Sequence, residues 1–600
     1  MQPSLKALEL RLQEIHANYI LDHPLDSPDS MTNENWGTVV AYMDDCTIGC
    51  HKNIVSSVCE ELTEIFGPAG LQLNNNKCKI IGPALSSSLE EDPELNLPFE
   101  YLPNGDIVLG CPVGTPHYRR SQCLAIAKKQ STILPSLSEL PISSRSAFAI
   151  LRLSTNAGLT FLVRASDTLS LDASLWFDKA IDDAIRAIAR QKPNPTIDRR
   201  NLTASLRSLP LHLGGLGIQR HSWLFGQVGM LKARTKLWDF VEDHLPHLQE
   251  ASKFRITPIR LGEHDPLNHV SSDNCPLVLS DDEVDWDAIR EVVTAQNESI
   301  CAETLTLTLA RFGPARAAWL RSSQFDGSGR FLLTLSDHCT PPHLKMTAQE
   351  YHQALRMRLL LGPHEDTPAH SQPPGLCPCK KYSLTDPREP FHLLDCHAND
   401  AFFTFRHSAA VSVVHSFLKK HLCPQTEFTL EPALHDRTNP DLVLTTRADL
   451  SVTDPSRLIH DRHKVLDMVV GNPACISFRA QIQARRETVL STSHRITTCW
   501  EERKISEKYI NTDEHAAGEF VPFAIEATGR LGEKAQALIE SLFPPKKQSP
   551  NGVAVRRNCR ALPHLTVLQG QLCTAIMKVN AAMMLHRNRI AVVARIVPSI

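Results

Sequence analysis

Three groups of residues in this chain have types and spacings that suit metal chemistry. In "VVAYMDDCTIG", Asp44 and Asp45 stand side by side between apolar flanks, directly after Tyr42 and Met43. Adjacent carboxylates in a tight turn repel each other and resist burial, and a divalent cation such as Mg2+ relieves both penalties. In "CPCKKYSLTDPREPFHLLDCH", Cys377 and Cys379 are one residue apart, with His392 and Cys396 downstream. Two thiolates on one turn and an imidazole and thiolate on the next can converge tetrahedrally on Zn2+. The C-x-C spacing is tighter than the usual C-x-x-C, and His397 is an alternative to His392 as ligand. The third group lies in "EPALHDRTNPDLVL" and "HKVLDMVV", where Asp441 opens one candidate strand and Asp467 sits within the next. Neighbouring strands would bring both carboxylates to one Mg2+. The bland alternatives are an Asx-rich turn, a buried thiol cluster and ordinary surface acids on an α/β core.

The elements that must position these groups follow from pattern. Leu5, Leu8, Leu12, Ile15 and Tyr19 repeat at helical steps, and the helix they define stops where Pro24 and Pro28 block it. A strand, a tight turn and a second strand surround Met43 to Asp45, and a helix through "NIVSSVCEELTEIFGPAG" closes at Gly67 and Pro68. From Ser121 to Leu237 the pattern is mainly helical, broken at "LPLHLGGLGI". Glu250 to Asp287 reads as a linker, and "PHEDTPAHSQPPGLCPC" as the best domain boundary. Beyond it the pattern is mixed α/β, with "PDLVLTT", "HKVLDMVV" and "FVPFAIEA" as buried strands.

A chain of 600 residues holds more than one core, and a net charge of -3 gives no global basic field. The charge asymmetry is local. After Glu540 no acidic residue occurs, while Lys546, Lys547, Arg556, Arg557, Arg560, Lys578, Arg587, Arg589 and Arg595 are basic, which suits a phosphate backbone or a solvated helix face. Glu9, Arg11 and Glu14 interrupt any secretory core at the N-terminus, and no run is expected to span a bilayer. The 17 cysteines, mostly single, fit reduced thiols in a reducing compartment.

Tyr42-Met43-Asp44-Asp45 resembles the YxDD motif of reverse transcriptases. "GLQLNNNKC" is similar to that family's GLxxNxxK segment, which implies that Asn74 and Lys77 edge the nucleotide site. "LGCPVGT", with Gly110, resembles the hairpin that grips the primer. "SAFAILRLSTNAGLTFLVR" and "SLPLHLGGLGIQ" resemble the thumb helices of non-LTR retrotransposon enzymes, and all these segments fall in the family's order from Tyr42 to Gln219. The cysteine and histidine group followed by Arg406 and His407 resembles the clade of these elements that ends in a restriction-enzyme-like endonuclease. There the acids belong to a PD-(D/E)xK arrangement, although Val469 stands where the plain pattern has lysine. The clade's lysine comes later, before a tyrosine. "RKISEKY" accordingly offers Lys508, with Lys504 close behind, and "EFVPFAIEATGRLG" resembles a segment that places Glu526 in or beside the site.

The resemblance implies an α/β multidomain chain: a partial palm over 1–118, a helical thumb over 119–249, a linker and helical region over 250–372, a zinc knuckle over 373–400, a nuclease over 401–545 and a basic helical tail over 546–600. It implies Mg2+ at both acidic sites, Zn2+ in the knuckle, template RNA and target DNA as partners, no membrane, and a nuclear place of action. In the intact family the nuclease nicks one DNA strand and the freed 3′ hydroxyl primes copying of RNA. The family's upstream aspartate strand and glycine-glutamine segment have no counterpart before Asp44, so the sequence reads as truncated and its polymerase as inactive alone. The alternative is a non-catalytic nucleic-acid-binding remnant. Oligomeric state is not legible.

Overall fold

The computed structural model describes residues 2–22, 38–42, 45–50, 54–70, 74, 76–81, 99–165, 171–191, 197–223, 286–333, 344–362, 377, 379, 381–383, 388–396, 400–439, 441–456, 463–475, 479, 495–543 and 564–593. The chain is mixed α/β, with helices outweighing several small sheets. It forms two compact units. One comprises 1–130, 159–177 and 221–297; the other comprises 131–158, 178–220 and 298–600.

In the first unit, helix α1 (Gln2–Asp22) ends two residues before Pro24, as the restricted backbone before a proline dictates. Its Leu8 and Leu12 are fully buried against Ile54, Val58 and Leu62, the last two on α2 (Val55–Phe66). Across this seam Arg11 donates to Glu61 at 2.9 Å. Strands β1 (Thr38–Tyr42) and β2 (Asp45–Gly49) pair antiparallel with Tyr42 opposite Asp45, and Met43 and Asp44 lie outside the described residues. Strands β3 (Lys79–Ile81) and β4 (Glu100–Leu102) pair in parallel. Strands β5 (Gly105–Val108) and β6 (Cys111–Gly114) form a hairpin whose turn residues Leu109 and Gly110 both have positive φ, 49° and 81°. That is the mirror-image turn that matches strand twist, and glycine occupies one of its left-handed positions without cost. Helix α3 (Pro116–Gln130) follows.

The second unit is organised by a four-stranded sheet in the order β12-β11-β10-β7. Strands β7 (Glu427–Leu430), β10 (Leu450–Thr453) and β11 (His463–Gly471) run antiparallel to their neighbours, and β12 (Phe520–Glu526) lies parallel to β11. One sheet face, with Leu466, Met468, Phe523 and Ile525, is covered by three helices. These are the helices at Asp400–His421, Glu533–Leu542 and His564–Val593, which bring Val413, Phe417, Leu538, Leu568, Leu572 and Ile576 at helical spacing. The helix at Arg495–Lys504 packs on β11 and β12 as well. A separate ribbon of β8 (Ala433–His435) and β9 (Val443–Arg447) closes a small core with Val465, Tyr509 and Phe520.

Helices lying wholly within the second unit include, in chain order, α4 (Ser144–Leu153), α5 (Ile197–Ser208), α6 (Pro314–Ser322), α7 (Ala348–Arg358), α8 (Asp400–His421), α9 (Arg495–Lys504), α10 (Glu533–Leu542) and α11 (His564–Val593). Three differences from sequence expectation emerge. Trp319 of α6, in the region read as linker and helical, stacks on Phe391 at 4.4 Å, and both belong to the second unit although they flank the boundary expected before Cys377. The basic tail read after 546 contains α11, whose apolar stripe is part of the core over the four-stranded sheet. A third concerns length and apolarity alone. Ser144–Val163, with hydropathy 1.3, qualifies as a membrane span, against the expectation that no run does. In the fold it is broken into three pieces, Ser144–Leu153, Thr155–Leu159 and Thr160–Ala165.

Glu501 on α9 is buried, and its Oε1 accepts from the Lys534 amide at 3.2 Å in the first turn of α10. Burial outweighs that donor and pushes the carboxyl up to about 7. A carboxyl whose folded pKa is raised binds its proton more tightly folded than unfolded, so it destabilises the fold as pH climbs from the ordinary carboxylate range toward 7. Urea midpoints should therefore fall for the wild type relative to Glu501→Gln between pH 4.5 and 7. Parallel pH curves for the two proteins would contradict this.

Candidate functional site

The sheet of the second unit carries a cluster of acids and bases at the junction of β10 and β11. Asp467 lies in the middle of β11 with its side chain 4% exposed. Lys504, the last residue of α9, places its ammonium on the Asp467 carboxylate and also donates to the Met468 carbonyl at 3.2 Å. A π-helical turn, Ile505–Tyr509, follows directly. From it Lys508 reaches Asp467 at 3.5 Å and the Arg447 carbonyl at 3.4 Å. Tyr509 stacks on Phe520 at 3.9 Å and donates its hydroxyl to the same Arg447 carbonyl at 3.3 Å. Burial, with Asp467 beside it, holds the Tyr509 phenol well above its ordinary range, so it stays a donor.

The second carboxylate is Asp449, directly before β10, and not Asp441. The Asp449 amide donates to the Leu466 carbonyl at 3.0 Å, and its Oδ2 accepts from the Met468 amide. His407 of α8 holds that same oxygen through Nε2 at 3.1 Å and lies 3.3 Å from the Met468 carbonyl. Two acceptors on one ring nitrogen require that nitrogen to carry the proton. Burial raises the Asp449 carboxyl, but His407, the Met468 amide and a hydrogen bond with Asp467 together bring it below its ordinary value. His407 is raised in turn, chiefly by the Asp449 hydrogen bond. Two carboxylates in mutual reach, flanked by two lysines, are a set that can hold one hard divalent cation and contact a phosphate.

Asp441 occupies an exposed turn ahead of β9, and β9 pairs with β8 in the ribbon rather than with β11 in the sheet. Among the described residues no ion pair or hydrogen bond joins Asp441 to Asp467. Pro440 lies outside the described residues. Glu526 also sits apart. It pairs with Gly471 across the β11–β12 register while Asp467 pairs with Pro522, which puts it four residues, ~13 Å, further along the strand. Its carboxyl accepts from the Ser322 hydroxyl and is pushed up to about 7 by burial. Sequence reasoning missed Asp449 and the part His407 plays. In "RADLSVT" an acid heads the buried strand Leu450–Thr453, but nothing local marks that strand as the neighbour of Asp467.

The cysteine and histidine group converges. Cys377, Cys379, His392 and Cys396 bring their ligand atoms within 4.8 Å of one another. The Cys377 and Cys396 sulfurs are 3.4 Å apart, and the Cys379 sulfur is 3.2 Å from His392 Nε2. Tetrahedral zinc with ordinary bond lengths sets ligand atoms about 3.4–3.8 Å apart, so the donor set fits such an ion with little movement. The Cys377 amide donates to the Tyr382 carbonyl at 2.8 Å, closing the turn, and the Tyr382 ring lies against His392 at 4.2 Å. Burial pushes the Cys377 thiol up to about 12, while amides of Lys381 and Tyr382 pull the Cys379 thiol below its ordinary value despite burial. His397 lies outside the described residues.

The chain matches no protein-family model and no curated protein.

In the other unit, Tyr42 and Asp45 face each other across the β1–β2 turn, while Asp44 lies outside the described residues and the side chains of Tyr42 and Asp45 are likewise undescribed. Asn74 and Lys77 are exposed and share a turn in which the Lys77 amide donates to the Asn74 carbonyl at 2.8 Å. Gly110 tips the β5–β6 hairpin.

Elemental analysis of full-length protein purified without chelator should find one equivalent of zinc, falling well below one in Cys396→Ser. Full zinc content in that variant would exclude the four-residue centre.

Proposed function

We propose that this chain is a nucleic-acid enzyme of the non-LTR retrotransposon type, and that its working centre is a Mg2+-dependent, DNA-nicking endonuclease at Asp449 and Asp467. What carries the reading is the joining of two carboxylates with two lysines at the junction of β10 and β11, in a sequence that resembles that clade. A bound Mg2+ would supply Lewis-acid activation of water and neutralise charge on the scissile phosphate. Asp449 and Asp467 would hold it, with His407 fixing the Asp449 carboxylate. Lys508 stands 3.5 Å from Asp467 and presents its ammonium to the phosphate as negative charge builds there. Lys504 neutralises Asp467, and with a cation bound it would be free to contact the phosphate. Tyr509 and the Arg447 carbonyl keep the Lys508 turn in place. Target DNA is the substrate of this centre, and template RNA is the partner that the reverse-transcriptase resemblance adds. The proposal is confined to strand cleavage, since Asp44 lies outside the described residues.

One observation favours a second reading. The Lys504 ammonium already rests on Asp467, so the lysine can stand permanently where a cation would be. The chain would then be a nucleic-acid-binding remnant. Supercoiled plasmid incubated with the full chain and Mg2+ decides between them. Conversion to nicked circles that chelator blocks is the expected result. Salt-sensitive DNA binding with no conversion would favour the remnant.

A further inference from the structure

Arg406 and His407 are consecutive on α8, and they grip the two candidate metal centres separately. Arg406 is 3% exposed. It donates from Nη1 to the Leu394 carbonyl at 3.2 Å and to Asn580 Oδ1 at 3.4 Å, and from Nη2 to the Val470 carbonyl at 3.5 Å. Leu394 lies between the zinc-type ligands His392 and Cys396, and Val470 is three residues beyond Asp467 on β11. His407 holds Asp449 and the Met468 carbonyl. Further ties join the same two regions. Asn472, just past β11, donates to the Phe391 carbonyl at 3.4 Å, and Arg479 pairs with Glu389 through both carboxylate oxygens. On α11, Asn580 also donates to the Ala527 carbonyl at 2.7 Å, just past β12.

We propose that an ion in the Cys377, Cys379, His392 and Cys396 centre controls cation affinity at Asp449 and Asp467, with Arg406 and His407 as the positioning link between them. This rests on the acidic centre being a cation site, as argued above. The described residues from Cys377 to Cys396 form only short turns, and a tetrahedral ion on the four ligands would cross-link the two ends of this segment. With the ion present, the Leu394 carbonyl is fixed and accepts from Arg406. Without it, a fully buried guanidinium loses a fixed acceptor, and leaving such a donor unsatisfied is costly. The least costly relief is a shift of the Arg406 end of α8, which carries His407 and with it the Asp449 carboxylate. A hard cation needs both carboxylates at a fixed spacing, so its affinity falls. By linkage the effect is reciprocal: a cation on the acids tightens zinc in the loop.

The test uses Mn2+ as the probe on the full chain, with binding read by electron paramagnetic resonance. Zinc-loaded protein is expected to bind one Mn2+ that Asp467→Asn removes, and stripping zinc should weaken that binding by about tenfold or more. Because stripping can unfold the loop outright, Arg406→Lys in zinc-loaded protein is the second arm. Lysine keeps the charge but cannot fork between Leu394 and Val470, so Mn2+ affinity should fall with zinc content unchanged. A lower melting temperature in Arg406→Lys with unaltered Mn2+ affinity would assign Arg406 to stability alone and overturn the link. Equal Mn2+ affinity in folded zinc-loaded and zinc-stripped protein would also overturn it while leaving the nuclease reading intact. Failure of Asp467→Asn to change Mn2+ binding would overturn both.

Discussion

Asp467→Asn and Asp449→Asn should each lower Mg2+-dependent plasmid nicking by at least about a hundredfold, while Asp441→Asn leaves it at the wild-type level. Asparagine keeps the size of the side chain and one carbonyl acceptor, so the Met468 amide and His407 keep a partner at position 449. What is lost is negative charge at a point where two carboxylates must share one cation. At position 467 the loss is double, because Lys504 then rests beside a neutral amide in a site shielded from water. Asp441 is exposed in a turn outside the sheet, and its removal touches none of these contacts. The comparison is internally controlled: all three variants remove one unit of negative charge, so any effect of net charge on DNA binding is common to them. Equal loss in all three, or loss in Asp441→Asn alone, would move the centre away from the β10–β11 junction.

The second large effect is on stability. Gly529→Ala should cost the second unit about 3 kcal/mol, from left-handed strain and overpacking together. Gly529 has φ +96°, and a Cβ there would sit 2.4 Å from Cys573 Cα and 2.5 Å from its nitrogen. Those are backbone atoms of α11, so no side-chain rotation relieves the overlap, and the helix must back away from the turn after β12. Since α11 supplies Leu568, Leu572 and Ile576 to the main core, amide exchange along it should accelerate strongly in the variant. Unchanged protection of the α11 amides would mean that the helix is not held as described.

The parts of the fold legible in the sequence were those set by local pattern. The Leu8 and Leu12 stripe, the stop before Pro24, the hairpin around Met43 and Asp44 and the strand "HKVLDMVV" needed only periodicity and proline chemistry. The parts that were not legible depend on pairing between distant segments. Asp441 and Asp467 were matched as acids on successive candidate strands, yet β9 leaves the sheet and β10 takes its place beside β11. Strand neighbourhood is a long-range property, and "RADLSVT" carries no mark that it, rather than "PDLVLTT", will lie next to Asp467. Similarly, the excess of lysine and arginine after Glu540 masks the apolar stripe of α11, since both occur in one segment. The proline-rich stretch before Cys377 has the composition of a boundary, but Trp319 and Phe391, which flank it in sequence, stack on each other. The cysteine and histidine group was legible because its members lie within twenty residues, where spacing alone limits the geometry.

The account stands on a hard cation lodged between Asp449 and Asp467. Crystals of the full chain soaked in Mn2+ and measured at the manganese absorption edge address this directly. The account predicts one anomalous peak bonded to both carboxylates, with the Lys504 ammonium moved off Asp467. A map with no peak there, and Lys504 still seated on Asp467, would contradict it.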